Sequence, residues 1–175
     1  MRNGFEQYYN GDEATGTQLL CFPGARHYVL LLGVYEDENG IWQWKRDYYG
    51  AKPTRQQLKN DIEALVNGLT DEKILSGFVW KDIPVWLSSE NQFNFKAAYD
   101  LAYQSNGASL PARYKLGEDK EGNPIYFDFE DLATFQDFYT GAIAYIQKCI
   151  NDGWEIKDGV DYDELFKREA EWDCD

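Results

Sequence analysis

Histidine, basic residues and long apolar runs are scarce in this 175-residue chain, and each scarcity closes off a class of function. With His27 as the only histidine, no His-rich metal site can be assembled. Lys and Arg number 17 against 31 Asp and Glu, a formal net charge of -14. A surface so poor in cations cannot displace the counterions of a phosphate backbone, so nucleic acid is excluded as a partner, and membranes are disfavoured for the same reason. The three cysteines, Cys21, Cys149 and Cys174, are odd in number and form no Cys-x-x-Cys pair. They argue against a disulfide framework and for a reducing compartment. The longest apolar run, Tyr28–Val34, is too short to span a bilayer, and the first eleven residues contain no apolar stretch of a secretory signal.

Cofactor signatures are missing as well. No Gly-x-Gly-x-x-Gly and no Gly-x-x-x-x-Gly-Lys-Ser/Thr run exists to cradle a phosphate. Asp37-Glu38-Asn39-Gly40 and Asp119-Lys120-Glu121-Gly122 lack the ligand spacing and distal glutamate of a calcium loop, and read as turns. No cofactor or metal is expected. Cys21 and His27, six residues apart across Pro23-Gly24, are the one nucleophile and base pair near enough in sequence to suggest a Cys-His hydrolase. The carboxylate pairs Asp128/Asp131 and Asp161/Asp163 sit beside turns and caps, where acids are favoured without catalysis. Cys149 lies on an apolar helical face, as a buried structural thiol would.

What the chain has in quantity is aromatic side chains, 17% of residues within a hydrophobic fraction of 43%. That is enough to form a core, and the patterning predicts an α+β protein. Met1–Gly16 reads as an irregular arm anchored by Phe5, Tyr8 and Tyr9. Gln18–Phe22, Arg26–Tyr35 and Ile41–Tyr49 read as an antiparallel meander, the last strand placing Trp42, Trp44 and Tyr48 on one face and Gln43, Lys45 and Asp47 on the other. Thr54 and Gln57 form a capping box before a helical stripe of Leu58, Ile62, Leu65 and Val66 that Gly68 should end, with a helical turn over Thr70–Leu75. A hairpin-helix-hairpin-helix module follows. Its first strands are Phe78–Trp80 and Val85–Leu87, joined by Asp82-Ile83-Pro84. Its first helix is capped by Ser89 with Gln92 and buries Phe93, Ala97 and Leu101, and Asn106-Gly107 stops it. Ala112–Leu116 and Ile125–Phe129 form the second hairpin. The second helix starts near Glu130, carries Leu132, Phe135, Tyr139, Ala142, Ile146, Cys149 and Ile150, and stops at Asp152-Gly153. Residues 1–76, 77–158 and an acidic tail, 159–175, are the expected divisions. The tail carries a short helix around Asp163–Trp172.

Within the second division, the aromatic hairpin of Phe78 and Trp80 leading to the helix start Ser89, Asn91, Gln92 and Asn94 resembles a domain of unknown function found in bacteriophage and prophage tail and tail-fibre-assembly proteins. The resemblance covers about residues 77–158. It implies a non-enzymatic structural or assembly role in a virion built in the host cytoplasm, with other tail proteins or a second copy as partner. It brings no catalytic residue. Candidate partner-binding residues, chosen as aromatics beyond what one core needs, are Phe5, Tyr8, Tyr9, Trp42, Trp44, Tyr48 and Trp172. Trp42, Trp44 and Tyr48 would alternatively form a glycan- or receptor-binding platform.

Overall fold

Antiparallel pairing along the first fifty residues builds a sheet of four strands, one more than the meander requires. The computed structural model describes residues 3–9, 16–22, 24–37 and 40–167; the side chains of 9, 34–37, 40–42 and 167 are outside that description. The fold is α+β, and the chain divides into two units, Met1–Gly68 with Gly153–Asp175, and Leu69–Asp152. Both divisions fall inside helices.

In the first unit, β1 (Glu6–Tyr9), β2 (Gln18–Phe22), β3 (His27–Asp37) and β4 (Gly40–Tyr49) lie in the order β1-β4-β3-β2. The segment read as an irregular arm is partly the edge strand β1, in register from Glu6 opposite Lys45 to Tyr9 opposite Trp42. Burial explains the ordering: Phe5 is fully enclosed, and Lys45 holds Glu6 at 3.1 Å. Helix α1 (Arg55–Ser76) starts where Thr54 accepts the amide of Gln57 at 3.1 Å. It buries the expected Leu58, Ile62, Leu65 and Val66. Asp61 ties it to β4, accepting the Tyr48 hydroxyl at 2.8 Å and pairing with Arg46 at 3.3 Å. Burial, and then the Asp61 carboxylate, push the Tyr48 phenol well above its ordinary pKa.

Gly68 does not end α1, which continues to Ser76. One glycine costs a helix only about 1 kcal/mol, which neighbouring turns readily offset. Gly77 is the true stop. A Cβ there would strike the Lys73 carbonyl and the Tyr145 hydroxyl.

In the second unit the hairpin of β5 (Phe78–Trp80) and β6 (Ile83–Val85) turns at Lys81-Asp82, both in the left-handed region. The turn is thus one step earlier than Asp82-Ile83-Pro84, and Pro84 lies inside β6 opposite Val79. That position is not a hydrogen-bonded pair of the hairpin, so the missing proline N–H leaves the ladder with β5 intact. Helix α2 spans Ser89–Gln104, and its cap is Ser88, whose hydroxyl accepts the Asn91 amide at 3.2 Å. The capping register is therefore one residue earlier than Ser89 with Gln92; Gln92 instead donates to the Leu87 carbonyl at 2.7 Å. The second hairpin, β7 (Ala112–Glu118) and β8 (Pro124–Phe129), bulges between Lys115 and Gly117. Asp131 caps α3 (Leu132–Asp158), accepting the amide and hydroxyl of Thr134, each at 2.8 Å. The helix runs through Gly153 to Asp158 rather than stopping at Asp152, and the Gly159 amide closes its last turn on the Glu155 carbonyl.

The core of this unit is aromatic. Phe138 meets Trp80 at 5.1 Å and Phe95 at 5.0 Å, both edge to face, while Phe135 stacks on Phe129 at 4.2 Å. This arrangement sets the rotation of α2. Phe95 and Ala102 are buried, whereas Phe93 and Leu101, expected in the core with Ala97, are exposed at 71% and 58%. The i, i+4, i+8 spacing was real, but it marks the outward face.

Helix α4 (Tyr162–Lys167) belongs to the first unit, where Arg55 pairs with Asp163 at 2.5 Å. It overlaps the expected tail helix; residues beyond Lys167 lie outside the described set.

Phe95→Ala should destabilise the protein by about 3–5 kcal/mol in denaturant unfolding, as buried aromatic truncations do. Leu101→Ala, on the exposed face, should change it by no more than about 0.5 kcal/mol. Removing the cap in Ser88→Ala should cost about 1 kcal/mol, with Ser89→Ala costing less. Bonds from Thr134 hold the Asp131 carboxyl below its ordinary pKa of 3.8. Because the folded value is the lower one, this contribution is complete above the ordinary value and is lost as pH falls through the depressed one. Thermal stability should drop below about pH 4, and the drop should be shallower in Asp131→Asn.

Candidate functional site

Cross-strand register decides the first candidates. Phe22 stands opposite His27, and Cys21 opposite Tyr28, so the Cys21 and His27 side chains project from opposite faces of the sheet. His27 bonds through Nε2 to Asp47 at 2.6 Å, with its ring stacked on Tyr49 at 4.5 Å. Cys21 is disulfide-bonded, contrary to the expectation of thiols throughout. A Cys-His nucleophile is thus ruled out at this position. Cys149, in contrast, is free and buried, as its helical face suggested.

The imagined carboxylate pairs are committed to structure. Asp161 caps α4 by accepting the Glu164 amide at 2.9 Å, and Asp131 caps α3. Asp128 lies 3.9 Å from Arg113. Asp119 closes its own turn, accepting amides of Glu121 at 2.9 Å and Asn123 at 2.8 Å. Among the described residues no group of three metal-ligating side chains is found. Among them, too, no helix is long and apolar enough to cross a membrane.

The candidate partner-binding aromatics do not form one patch. Phe5 and Tyr48 are buried in the core of the first unit, and Trp44 is half-buried. They share a face because alternation along β1 and β4 puts them together. Tyr8 is exposed but sits opposite Gln43, on the other face. A glycan platform of Trp42, Trp44 and Tyr48 is therefore undone at Tyr48. Tyr9 and Trp42 occupy paired strand positions, with side chains outside the described set, and Trp172 lies outside it altogether.

Two surfaces of the second unit run against the sequence reading, which placed the α2 stripe in the core and Trp86, like Trp80, inside the folded hairpin. The first is the outward ridge of α2, Phe93, Ala97 and Leu101, flanked by a Lys96–Asp100 ion pair. The second is a cleft of about 570 Å³ lined by the end of β6, the β7 bulge and the first turn of α2. Trp86 lines it and is 49% exposed, while its neighbours Val85 and Leu87 are buried. Alternation turns the indole outward, and hydrogen bonds hold its peptide. The Trp86 amide donates to the Leu116 carbonyl at 2.7 Å, and its carbonyl accepts from the Asn91 side chain at 2.8 Å. Across the cleft Lys115 and Glu118 pair at 2.6 Å.

No protein-family model matches the chain, and no solved structure matches it. An uncharacterised protein of Mycoplasma pneumoniae (strain ATCC 29342 / M129) is 29% identical over 116 residues, which is 61% of this chain and 39% of that protein. The chain thus spans well under half of that relative's length.

Gly117 is the position on which the cleft wall depends. A Cβ there would overlap the Pro84 carbonyl oxygen, a backbone atom that cannot swing away. Gly117→Ala should therefore force β6 and β7 apart and destabilise the protein by about 1–3 kcal/mol. Gly122→Ala makes a useful comparison: it meets no neighbour, and only its positive φ opposes it.

Proposed function

We propose that this chain is a non-enzymatic structural or assembly protein of a phage or prophage tail or tail fibre, acting through protein–protein contacts. The observation that carries the association is the α2 ridge. Phe93 and Leu101 are more than half exposed on a helix whose opposite face already packs the core. Large apolar groups one and two turns apart are the anchors by which a helix enters a groove or packs on another helix. Phe93, Ala97 and Leu101 line up along one outward face of α2, and that alignment is what supports a contact surface.

The tail setting rests on the motif resemblance over about residues 77–158. A virion assembled in the host cytoplasm is the setting it suggests, with other tail proteins or a second copy as partners. The charge of -14 opposes self-association at low salt and favours a basic partner, and it opposes binding to nucleic acid.

Mass spectrometry of purified particles and pull-downs from phage-producing cells test this reading. The wild-type chain should appear in particles or capture a tail protein. A double variant, Phe93→Ser with Leu101→Ser, should lose that capture by roughly tenfold or more while keeping its unfolding midpoint, since anchors of this kind dominate binding. Absence from particles, together with no captured tail protein, would remove the proposal.

A further inference from the structure

We propose that the cleft beside Trp86 is a binding site for a neutral carbohydrate of one or two sugar rings. This goes beyond the assembly reading and stands on different residues. The volume of about 570 Å³ lies within the range of small-ligand sites. The chemistry of the lining is more selective than its size.

Trp86 offers a half-exposed indole on a peptide that is held in place. Both polar groups of its peptide are occupied, by Leu116 at 2.7 Å and by Asn91 at 2.8 Å. Asn91 is itself anchored in the first turn of α2, its amide on the Ser88 hydroxyl at 3.2 Å. An indole has only two side-chain torsions to order on binding, so it supplies contact area at little conformational cost. The negative face of an indole suits the weakly positive C–H face of a sugar ring. Around it, Glu90 and Glu118 supply acceptors, Lys115 a donor, and Ser88 a hydroxyl, which together match a ring of hydroxyl groups.

Other ligand classes fit less well. Two carboxylates against one ammonium repel a phosphorylated or carboxylated ligand. An extended peptide would need a free strand edge. At this point β6 has β5 on one side, and its exit is bonded to Leu116 on the other. A wholly apolar ligand would leave the charged rim unsolvated.

The test uses the full chain with glucose, galactose, N-acetylglucosamine and their β1,4-linked disaccharides at millimolar concentrations. Saturation-transfer NMR reports contact, and the tryptophan indole resonances report where. At least one sugar should bind and shift the Trp86 indole signal, with affinity reduced roughly tenfold or more in Trp86→Ala. Trp154→Ala, which removes another exposed tryptophan, should leave binding unchanged. If Trp86→Ala does not fold, the paired variant Glu90→Gln with Glu118→Gln takes its place, and should weaken binding with the fold intact. No binding by any sugar of the panel, or binding indifferent to these variants, would overturn the proposal. Because the α2 ridge is untouched by them, capture of tail proteins should persist.

Discussion

The edge-to-face contacts at Phe138 are the constraint on which the second unit depends. One ring on α3 receives Trp80 from β5 and Phe95 from α2, and lies 5.2 Å from Phe129 on β8. Aromatic quadrupoles favour particular mutual angles, and such pairs contribute about 0.5–1.5 kcal/mol each beyond burial. The contacts therefore do more than exclude water: they fix how each element is turned about its own axis. The Trp80 indole also donates to Asp137 at 2.9 Å, which satisfies its polar atom at the edge of the cluster.

The rotation of α2 follows from Phe95. With that ring edge-on to Phe138, Ala102 must lie inward and Leu101 outward, and the Ser88 cap sets where the turns begin. The same logic exposes Trp86. Val85 and Leu87 fill the core, so the residue between them is left facing the cleft, where its peptide is bonded to β7 and α2. Both candidate surfaces are thus by-products of packing the same aromatic core. The backbone that carries each surface is placed by that core.

Much of this was legible in the sequence. The meander, the two hairpins, the α1 stripe, the Thr54 cap and the long α3 follow from alternation, turn residues and periodicity. The α2 face was not, because both Phe93-Ala97-Leu101 and Phe95-Ala98-Ala102 have helical spacing. Periodicity identifies a stripe, and only the partners in space choose between two. Gly68 and Gly153 misled for a related reason: a lone glycine weakens a helix by less than tertiary packing returns. The strand β1 was hidden by its length, since four residues gain their order from β4 and the burial of Phe5 rather than from local preference. The disulfide at Cys21 leaves no sequence-local trace of any kind.

The central claim is that α2 turns Phe95 and Ala102 inward and Leu101 outward. Thiol reactivity of single-cysteine replacements in the native protein tests it most directly, against the buried background of Cys149. Leu101→Cys should react with a thiol reagent at close to the rate of an unfolded chain. Ala102→Cys should react only as fast as the unit opens, slower by orders of magnitude under native conditions. Protection at position 101 with free reaction at 102 would contradict the account, and with it the outward ridge.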